Sequence, residues 1–119
     1  GNWQGYREDL NVIVDISKVK KINSISLGCH QDVRSWIFYP KQVNYWSSID
    51  GKNYTYQGKV LANFPDNIEG SMQKDFELNV TNLNARYIKI KAENYGVCPD
   101  WHLGAGGKTW IFVDEITIK

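Results

Sequence analysis

Short runs in which apolar and polar residues alternate are the feature that most constrains the fold of this chain. In residues 10–16, LNVIVDI, the side chains of Leu10, Val12, Val14 and Ile16 fall on one side of an extended backbone. This two-residue period is typical of a β-strand with one buried face. No long stretch has the 3.6-residue apolar period of an amphipathic helix. The pattern therefore predicts an all-β protein.

The alternation recurs along the chain, and turn-forming residues separate the runs. Residues 50–53 are predicted to form a turn, because Gly51 tolerates a positive φ and Asp50 can accept hydrogen bonds within its own turn. We assign short strands to residues 10–16, 22–27, 43–47, 54–56, 59–61, 73–79, 86–92 and 111–118. This series of short strands favours an antiparallel β-sandwich or a barrel.

Length and charge narrow the functional classes. The chain has 119 residues, 42% of them hydrophobic, which suits one globular domain with a core. Its 14 basic and 13 acidic residues leave a net charge of +1, so neither nucleic acid nor an anionic membrane is indicated as the main partner. No apolar run approaches the ~18 residues that a transmembrane helix needs.

Two long connections, residues 28–41 and 93–109, hold most of the residues that could build a site. Each contains one Cys, one His and one Trp. Long loops in a compact domain are often functional. Cys29 and Cys98 could form one disulfide in an oxidising compartment or stay as two thiols. Our hypothesis is that a bridge between them ties the two loops together.

The stretch CPDWHLGAGGKTW, residues 98–110, ends like a phosphate-binding loop. That interpretation is excluded, because His102 occupies the position of the first glycine and a predicted strand follows Thr109. A zinc site has suitable ligand types but no established spacing; its candidates are Cys29, His30, Cys98 and His102. No motif fixes a hydrolytic arrangement, so we expect no enzymatic activity from this chain.

Segments in a fixed order resemble the discoidin, or coagulation factor 5/8 type C, domain. They are VIVDISKVKKINSISLG, a long loop with Trp36, PKQVNYWSSIDGKNYTY, ARYIKIKAEN and FVDEITI. Ser17 stands where that family usually carries glycine. The segments NWQGY, SWIFYPK and CPDWHLGAGGK resemble the copies appended to bacterial family 20 β-hexosaminidases, which are chitobiase-like enzymes of Bacteroidetes. Those copies are classed as family 32 carbohydrate-binding modules.

The resemblance implies a discoidin-like jelly-roll sandwich with a sugar site at the loops of one end. It implies a single domain over residues 1–119, excised from a larger glycoside hydrolase and lacking the family's first strand. A secreted, periplasmic or outer-surface location follows from that context. Glu115 matches an acid that often completes a structural calcium site in the family, although it could equally be an exposed strand acid. Arg86, inside a strand, is expected to be structural.

The resemblance also implies which residues contact the sugar. Pyranose C–H faces stack on aromatic rings, and hydroxyl groups need directional polar partners. We predict that Gly104, Gly106 and Gly107 adopt unusual φ and present the loop at the rim of the site. The candidate ligand residues are His30, Gln31, Asp32, Arg34, Trp36, Trp101, His102 and Tyr6.

Each candidate has a structural alternative that the sequence leaves open. Asp32 and Arg34 could form a loop ion pair, Trp36 could be core, and Trp101 and His102 could be buried under their own loop. Trp3 could form a third wall with Tyr6 or cap the sandwich.

The predicted function is a non-catalytic carbohydrate-binding module that targets an attached glycoside hydrolase to glycans. The expected ligands are of the galactose, N-acetylgalactosamine or N-acetylglucosamine type. Tethering makes weak binding useful. The alternatives are a structural spacer and a protein or membrane adhesion domain of the discoidin type. Because the loops carry few Lys or Arg, binding to membranes is disfavoured.

Overall fold

The computed structural model describes residues 4–63, 70–99 and 101–119. Within them all strand pairs are antiparallel, and the strand order in the sheet is β1-β6-β2-β5-β3-β4. The strands are β1 Gln4–Tyr6, β2 Leu10–Gln31, β3 Gln42–Ser48, β4 Thr55–Leu61, β5 Met72–Ala92 and β6 Ile111–Ile118. A 3₁₀ turn at Val33–Ser35 is the single helical segment of the described residues, which contain no helix able to cross a membrane. The predicted all-β class is confirmed.

Two strands are much longer than the sequence pattern predicted. The runs 10–16 and 22–27 are parts of β2, and the runs 73–79 and 86–92 are parts of β5. These two strands pair from Leu10 and Ala92 at one end to Gln31 and Met72 at the other. The register shifts twice near the middle of the ladder, once after Asp15 and once after Ile22. Such irregularities bend strands, so each long strand contributes to both layers of the fold.

The two layers close on one hydrophobic core. One layer consists of the first part of β2, the end of β5, and the whole of β3 and β4. The other layer consists of the end of β2, the start of β5, and the whole of β6 and β1. Buried residues from both layers form a single cluster that includes Leu27, Phe76, Tyr45 and Ile90. The hydroxyl of Tyr45 in one layer donates a hydrogen bond to the carbonyl of Phe76 in the other. This arrangement fits the discoidin-like β-sandwich that the sequence predicted.

The bend in β2 is built around Asp15. Ser17 has φ 79°, in the left-handed region that favours glycine, which is the residue the resembled family carries there. The Asp15 carboxylate accepts bonds from the Ser17 N–H at 2.8 Å and from Arg86 at 2.9 and 3.1 Å. The Arg86 bonds, and then the Ser17 bond, hold the pKa of Asp15 below its usual range. Arg86 is therefore structural, as predicted.

The turn after β3 has the chemistry that the sequence predicted. Oδ1 of Asp50 accepts hydrogen bonds from the N–H groups of Lys52 and Asn53 and from the Ser48 hydroxyl, at 2.8–2.9 Å. Gly51 has φ 76°. The bond from the Asn53 N–H, followed by the other donors, holds the pKa of Asp50 far below its usual range.

The two long loops lie side by side at one end of the sandwich. The N–H of Phe38 donates to the Trp110 carbonyl at 3.1 Å, and the N–H of Trp110 donates to the Trp36 carbonyl at 2.8 Å. Within the second loop, the Cys98 N–H donates to the Gly107 carbonyl at 2.7 Å. A second, smaller core fills the space beneath, and its buried members are Val33, Phe38 and Cys98. The expectation that the two loops meet is confirmed.

The hypothesis of a disulfide between the loops is wrong. Cys29 lies in the main core and Cys98 in the smaller one, and both are free thiols. Burial raises the pKa of each thiol, and so disfavours the reactive thiolate. Hydrogen bonds between the loops, and not a covalent bridge, hold them together. The alternative zinc set is not assembled either, since no three His, Cys, Asp or Glu residues of the described part form a metal-binding group.

Candidate functional site

A cleft of about 440 Å³ opens between the two long loops. The first loop lines it from the 3₁₀ turn and the residue that follows that turn, and the second loop lines it from the segment after Pro99. The lining residues are Val33, Arg34, Trp36, Trp101, His102 and Leu103. The two walls therefore come from the two loops that the sequence singled out, and four of the predicted ligand residues are among the six.

The indole of Trp36 forms the base of one wall. Trp36 ends the 3₁₀ turn in a left-handed conformation, with φ 65°, which turns its half-buried ring towards the second loop. A Cβ placed on Gly104 would come within 2.6 Å of Trp36 Cε2, and one on Gly107 within 2.7 Å of Trp36 Cη2. Both glycines are thus needed because their backbone lies directly on this ring.

Of the three glycines predicted to adopt an unusual φ, only Gly106 does so. Gly106 has φ 83°, as predicted for the loop, whereas Gly104 and Gly107 do not have positive φ. Their role is close approach to an aromatic ring. Sequence reasoning missed it because nothing in the local pattern shows which distant side chain a glycine will meet.

His102 holds the second loop against the first. Its ring is buried, with 9% of its surface exposed. Nδ1 accepts a hydrogen bond from the Gly104 N–H at 2.8 Å, and Nε2 donates one to the Val33 carbonyl. This pattern requires a neutral ring with its proton on Nε2. Because both nitrogens bond within the chain, His102 offers a ligand only the carbon edges of its ring.

Trp101 and Leu103 form the outer rim of the cleft. Half of the Trp101 surface is exposed, and its ring centroid lies 5.8 Å from that of His102 and 6.5 Å from that of Phe38. Leu103 is fully exposed. Sequence reasoning did not select Leu103, although a large apolar residue between a histidine and a glycine-rich turn could have indicated a rim position.

Arg34 stands between this cleft and a neighbouring groove. The groove has a volume of about 540 Å³ and is lined by Asp32, Arg34, Ser35 and Gly70. The Ser35 hydroxyl donates to Oδ2 of Asp32 at 3.4 Å, so that carboxylate also helps to close the 3₁₀ turn. Because the Arg34 side chain is exposed and lines both the cleft and the groove, it can reach a molecule in either one.

Four predicted ligand residues do not line the cleft: Asp32 lines the neighbouring groove, and His30, Gln31 and Tyr6 line neither space. Gln31 is 2% exposed and lies in the core, where its side-chain oxygen accepts a bond from the Tyr39 N–H at 3.2 Å. His30 is half-buried on β2, with Nε2 3.3 Å from the Ser71 hydroxyl. Tyr6 packs against the main core from β1 and donates to the Gln4 side chain at 2.7 Å. Trp3 and Asp100 lie outside the described residues.

Glu115 is exposed on β6. Calcium needs six to eight oxygen ligands. In residues 4–63, 70–99 and 101–119 no three His, Cys, Asp or Glu side chains gather into a metal-binding group. Structural calcium stays a prediction.

Comparisons with known proteins bear on the fold and the family. The family model for the F5/8 type C domain matches residues 1–114. The CBM32-3 module of a family 31 glycoside hydrolase from Clostridium perfringens aligns with a TM-score of 0.60 at 15% identity, over 98% of this chain and 70% of that one. The C-terminal domain of a chitobiase from Bacteroides fragilis aligns with a TM-score of 0.46 at 21% identity, over 93% and 65%. No curated protein sequence matches.

Proposed function

The chain belongs to the F5/8 type C domain family, and from this premise we propose that it is a non-catalytic carbohydrate-binding module. The sugar-binding site is the cleft between the two long loops. The half-exposed indole of Trp101 in the wall of that cleft is the observation that carries the proposal.

The chemistry of the lining suits a pyranose ring. The apolar C–H face of a sugar stacks on an aromatic ring, and Trp101 offers such a ring at the mouth of the cleft. Arg34 supplies N–H donors for hydroxyl oxygens on the opposite wall. Ligand sites of this kind are typically ~300–1,000 Å³, and the cleft of about 440 Å³ falls in that range.

The state of His102 supports binding over catalysis. A general acid or base must present a ring nitrogen to the substrate. Both nitrogens of His102, the only histidine in the described lining, are used by Gly104 and Val33. A fixed, neutral ring of this kind stiffens the wall of a binding site.

The relatives suggest the setting in which the module acts. One structural relative is a module of a family 31 glycoside hydrolase, and another is a domain of a chitobiase. By analogy we propose that this module is attached to a glycoside hydrolase of the β-hexosaminidase type, outside the cytoplasm. Its ligands would be glycans ending in galactose, N-acetylgalactosamine or N-acetylglucosamine, which the module would hold near the enzyme.

A glycan array followed by calorimetric titration of the hits tests this proposal. We expect saturable binding that Trp101→Ala abolishes. Val97→Ala is the matched control, because Val97 is also half exposed in the same loop but does not line the cleft. Saturable binding that survives Trp101→Ala would move the site elsewhere, and no binding to any glycan by folded protein would overturn the proposal.

One observation favours an adhesion domain as a second candidate function. Leu103 is fully exposed beside the half-exposed Trp101, and an apolar tip of this kind can insert into a membrane or a protein surface. Sedimentation with phosphatidylcholine and phosphatidylserine vesicles tests the membrane form. Adhesion predicts that Leu103→Ser lowers vesicle binding, whereas the sugar module predicts no binding to either vesicle.

A further inference from the structure

A row of side chains crosses the outer face of the layer formed by β2, β5, β3 and β4. Strand register places Ile13 opposite Lys89, Lys89 opposite Trp46, and Trp46 opposite Tyr56. Side chains directly opposite one another on a sheet share a face. Ile13 and Tyr56 are each about half exposed, so this row forms solvent-facing surface that shares no residue with the cleft.

The tyrosine of this row is held rigidly. The rings of Trp46 and Tyr56 pack with their centroids 5.3 Å apart. The Tyr56 hydroxyl donates to Oδ1 of Asn44 at 2.8 Å, which fixes the other end of the ring. A platform that is ordered before binding loses less entropy when a ligand stacks on it.

The same face carries a local excess of positive charge. The Lys89 ammonium lies 5.2 Å from the centre of the Trp46 ring, a cation–π contact that fixes its position. The neighbouring row runs Asn11, Lys91, Asn44, Lys59 across the same four strands. The two rows thus contain three lysines and no acid.

The acids near this face stand outside the two rows. Asp15 is bonded twice by Arg86, and Asp9 lies 4.0 Å from the Lys91 ammonium. Glu93 follows the end of β5. No local sequence pattern indicated this surface, because its members come from four separate strands.

We propose that this outer face binds a polyuronate, a polysaccharide with a carboxylate on each sugar ring. Tyr56 would stack against a pyranose face, and Lys89 and Lys59 would pair with carboxylates on either side of it. Strand geometry puts Lys89 and Lys91 about 7 Å apart along β5, and Lys91 and Lys59 about 10 Å apart across two strands. An extended chain with carboxylates along its length can reach Lys89 and Lys59, while Lys91 already lies 4.0 Å from the Asp9 carboxylate.

The structure favours a polysaccharide over an acidic peptide. A peptide that adds to a sheet lies along a free strand edge, such as the outer side of β4, and not across the face, where β5 and β3 are each paired on both sides. What the face offers is an aromatic ring with ammonium groups around it. A uronate carboxylate projects from the rim of its ring and leaves the C–H face open to Tyr56.

Titration with oligogalacturonate in low salt tests the proposal. The double variant Lys59→Glu, Lys89→Glu should bind about tenfold or more weakly, and added salt should weaken wild-type binding. The matched control is Lys18→Glu, Lys20→Glu, which changes the net charge equally at exposed positions outside the two rows and should bind as wild type. Equal losses in both double variants would overturn the proposal.

The aromatic part of the site has its own test. Tyr56→Phe keeps the ring and should retain most of the affinity, while Tyr56→Ala should lose most of it. Circular dichroism and the melting temperature verify that each variant is folded. If the Lys59→Glu, Lys89→Glu protein does not fold, the Lys59→Gln, Lys89→Gln variant, which removes the two charges without reversing them, takes its place. Equal binding of fully methyl-esterified oligogalacturonate or of polyglutamate would overturn the assignment to polyuronate, as would no binding by the wild type.

This site stands apart from the proposed sugar cleft. Trp101→Ala should leave oligogalacturonate binding unchanged, and the double lysine variant should leave binding at the cleft unchanged. Loss of oligogalacturonate binding in Trp101→Ala would show that the cleft, and not the outer face, takes the acidic chain.

Discussion

The turn at Asp50 and the glycine-rich loop at residues 98–107 are both tight, polar connections, yet they are stabilised in opposite ways. Asp50 is exposed, and every hydrogen bond that its carboxylate accepts comes from a residue within three positions of it. The glycine-rich loop has hydrogen bonds of its own, such as that from the Cys98 N–H to the Gly107 carbonyl, but it is also held by Trp36 and by the Val33 carbonyl, which are more than sixty positions away. The conformation of the Asp50 turn is determined by its own residues, whereas that of the glycine-rich loop also depends on distant parts of the fold.

This difference shows where a local sequence pattern is sufficient to predict the conformation of a connection. Side-chain bonds to the neighbouring backbone depend on residue type and spacing, which a sequence displays. Contact between a glycine backbone and an indole depends on how two loops are brought together. Substitutions should therefore act locally at Asp50 and through distant partners in the glycine-rich loop.

The largest expected effect is at Gly107. Gly107→Ala places a methyl group against the Trp36 ring and should lower the free energy of unfolding by about 1–3 kcal/mol. Chemical denaturation measures it. Gly28→Ala is the control, because its Cβ meets no atom closer than 3.4 Å. If the loop depends on Trp36, adding Trp36→Ala should remove most of the extra cost of Gly107→Ala; purely additive losses would break the comparison.

Removal of the His102 ring should come next. His102→Ala leaves the buried Val33 carbonyl and the Gly104 N–H without their present partners, at a cost of about 1–2 kcal/mol. Hydrogen–deuterium exchange at Gly104 should become faster. His30→Ala, which removes the other histidine of the chain, should leave exchange at Gly104 unchanged. Unchanged exchange in His102→Ala would mean that the loop holds itself, as the Asp50 turn does.

A smaller, pH-dependent effect is expected at Asp50. Because its pKa is lowered in the folded state, the ionised carboxylate stabilises the fold above the unfolded pKa of about 4, and this contribution is lost as pH falls towards the folded pKa. Asp50→Asn should therefore have a lower melting temperature than the wild type at pH 7.

The gap between the two proteins should narrow below about pH 4. Ser48→Ala removes one donor to Asp50 and also the acceptor of the Gly51 N–H, so it should lose stability at every pH and show a smaller pH-dependent part than Asp50→Asn. A gap that does not change with pH would show that the carboxylate charge has no part in stabilising this turn.

The smallest effect sharpens the comparison at a third tight bend. Ser17→Gly relieves a left-handed conformation and keeps the N–H that bonds Asp15, so the free energy of unfolding should rise by up to about 1 kcal/mol. Lys18→Gly, beside it and without a positive φ, should instead lower stability. Destabilisation by Ser17→Gly would mean that the serine side chain contributes to the bend.

The sequence was informative wherever one residue's neighbours determine its conformation. Alternation predicted the strands, and Asp50 and Gly51 predicted their turn. The length of β2 and β5 was not predicted, because the alternation breaks at the bend near Ser17 although the strand continues. A strand can continue through a bulge when distant partners keep pairing with it, and those partners do not appear in a local window.

At the candidate site, the sequence predicted which loops meet more reliably than which side chains line the cleft between them. Trp36, Trp101, His102 and Arg34 all line the cleft, since the loops that carry them do meet. Gln31 has the same polar character as its neighbours in the sequence but points into the core, where Tyr39 bonds it. The hydrogen bonds that engage both nitrogens of His102 come from backbone groups, which carry no residue-specific signal.

The pairing of β2 with β5 has a consequence for how the protein is made. Leu10 pairs with Ala92, and Gln31 pairs with Met72, so neither layer can close until β5 is available. On the ribosome, β2, which lies in about the first quarter of the chain, would wait for its partner while roughly the next forty residues are synthesised. Topologies dominated by distant pairing fold slowly. We therefore expect late, cooperative folding, in which a nascent chain that stops before β5 is a substrate for chaperones and proteases.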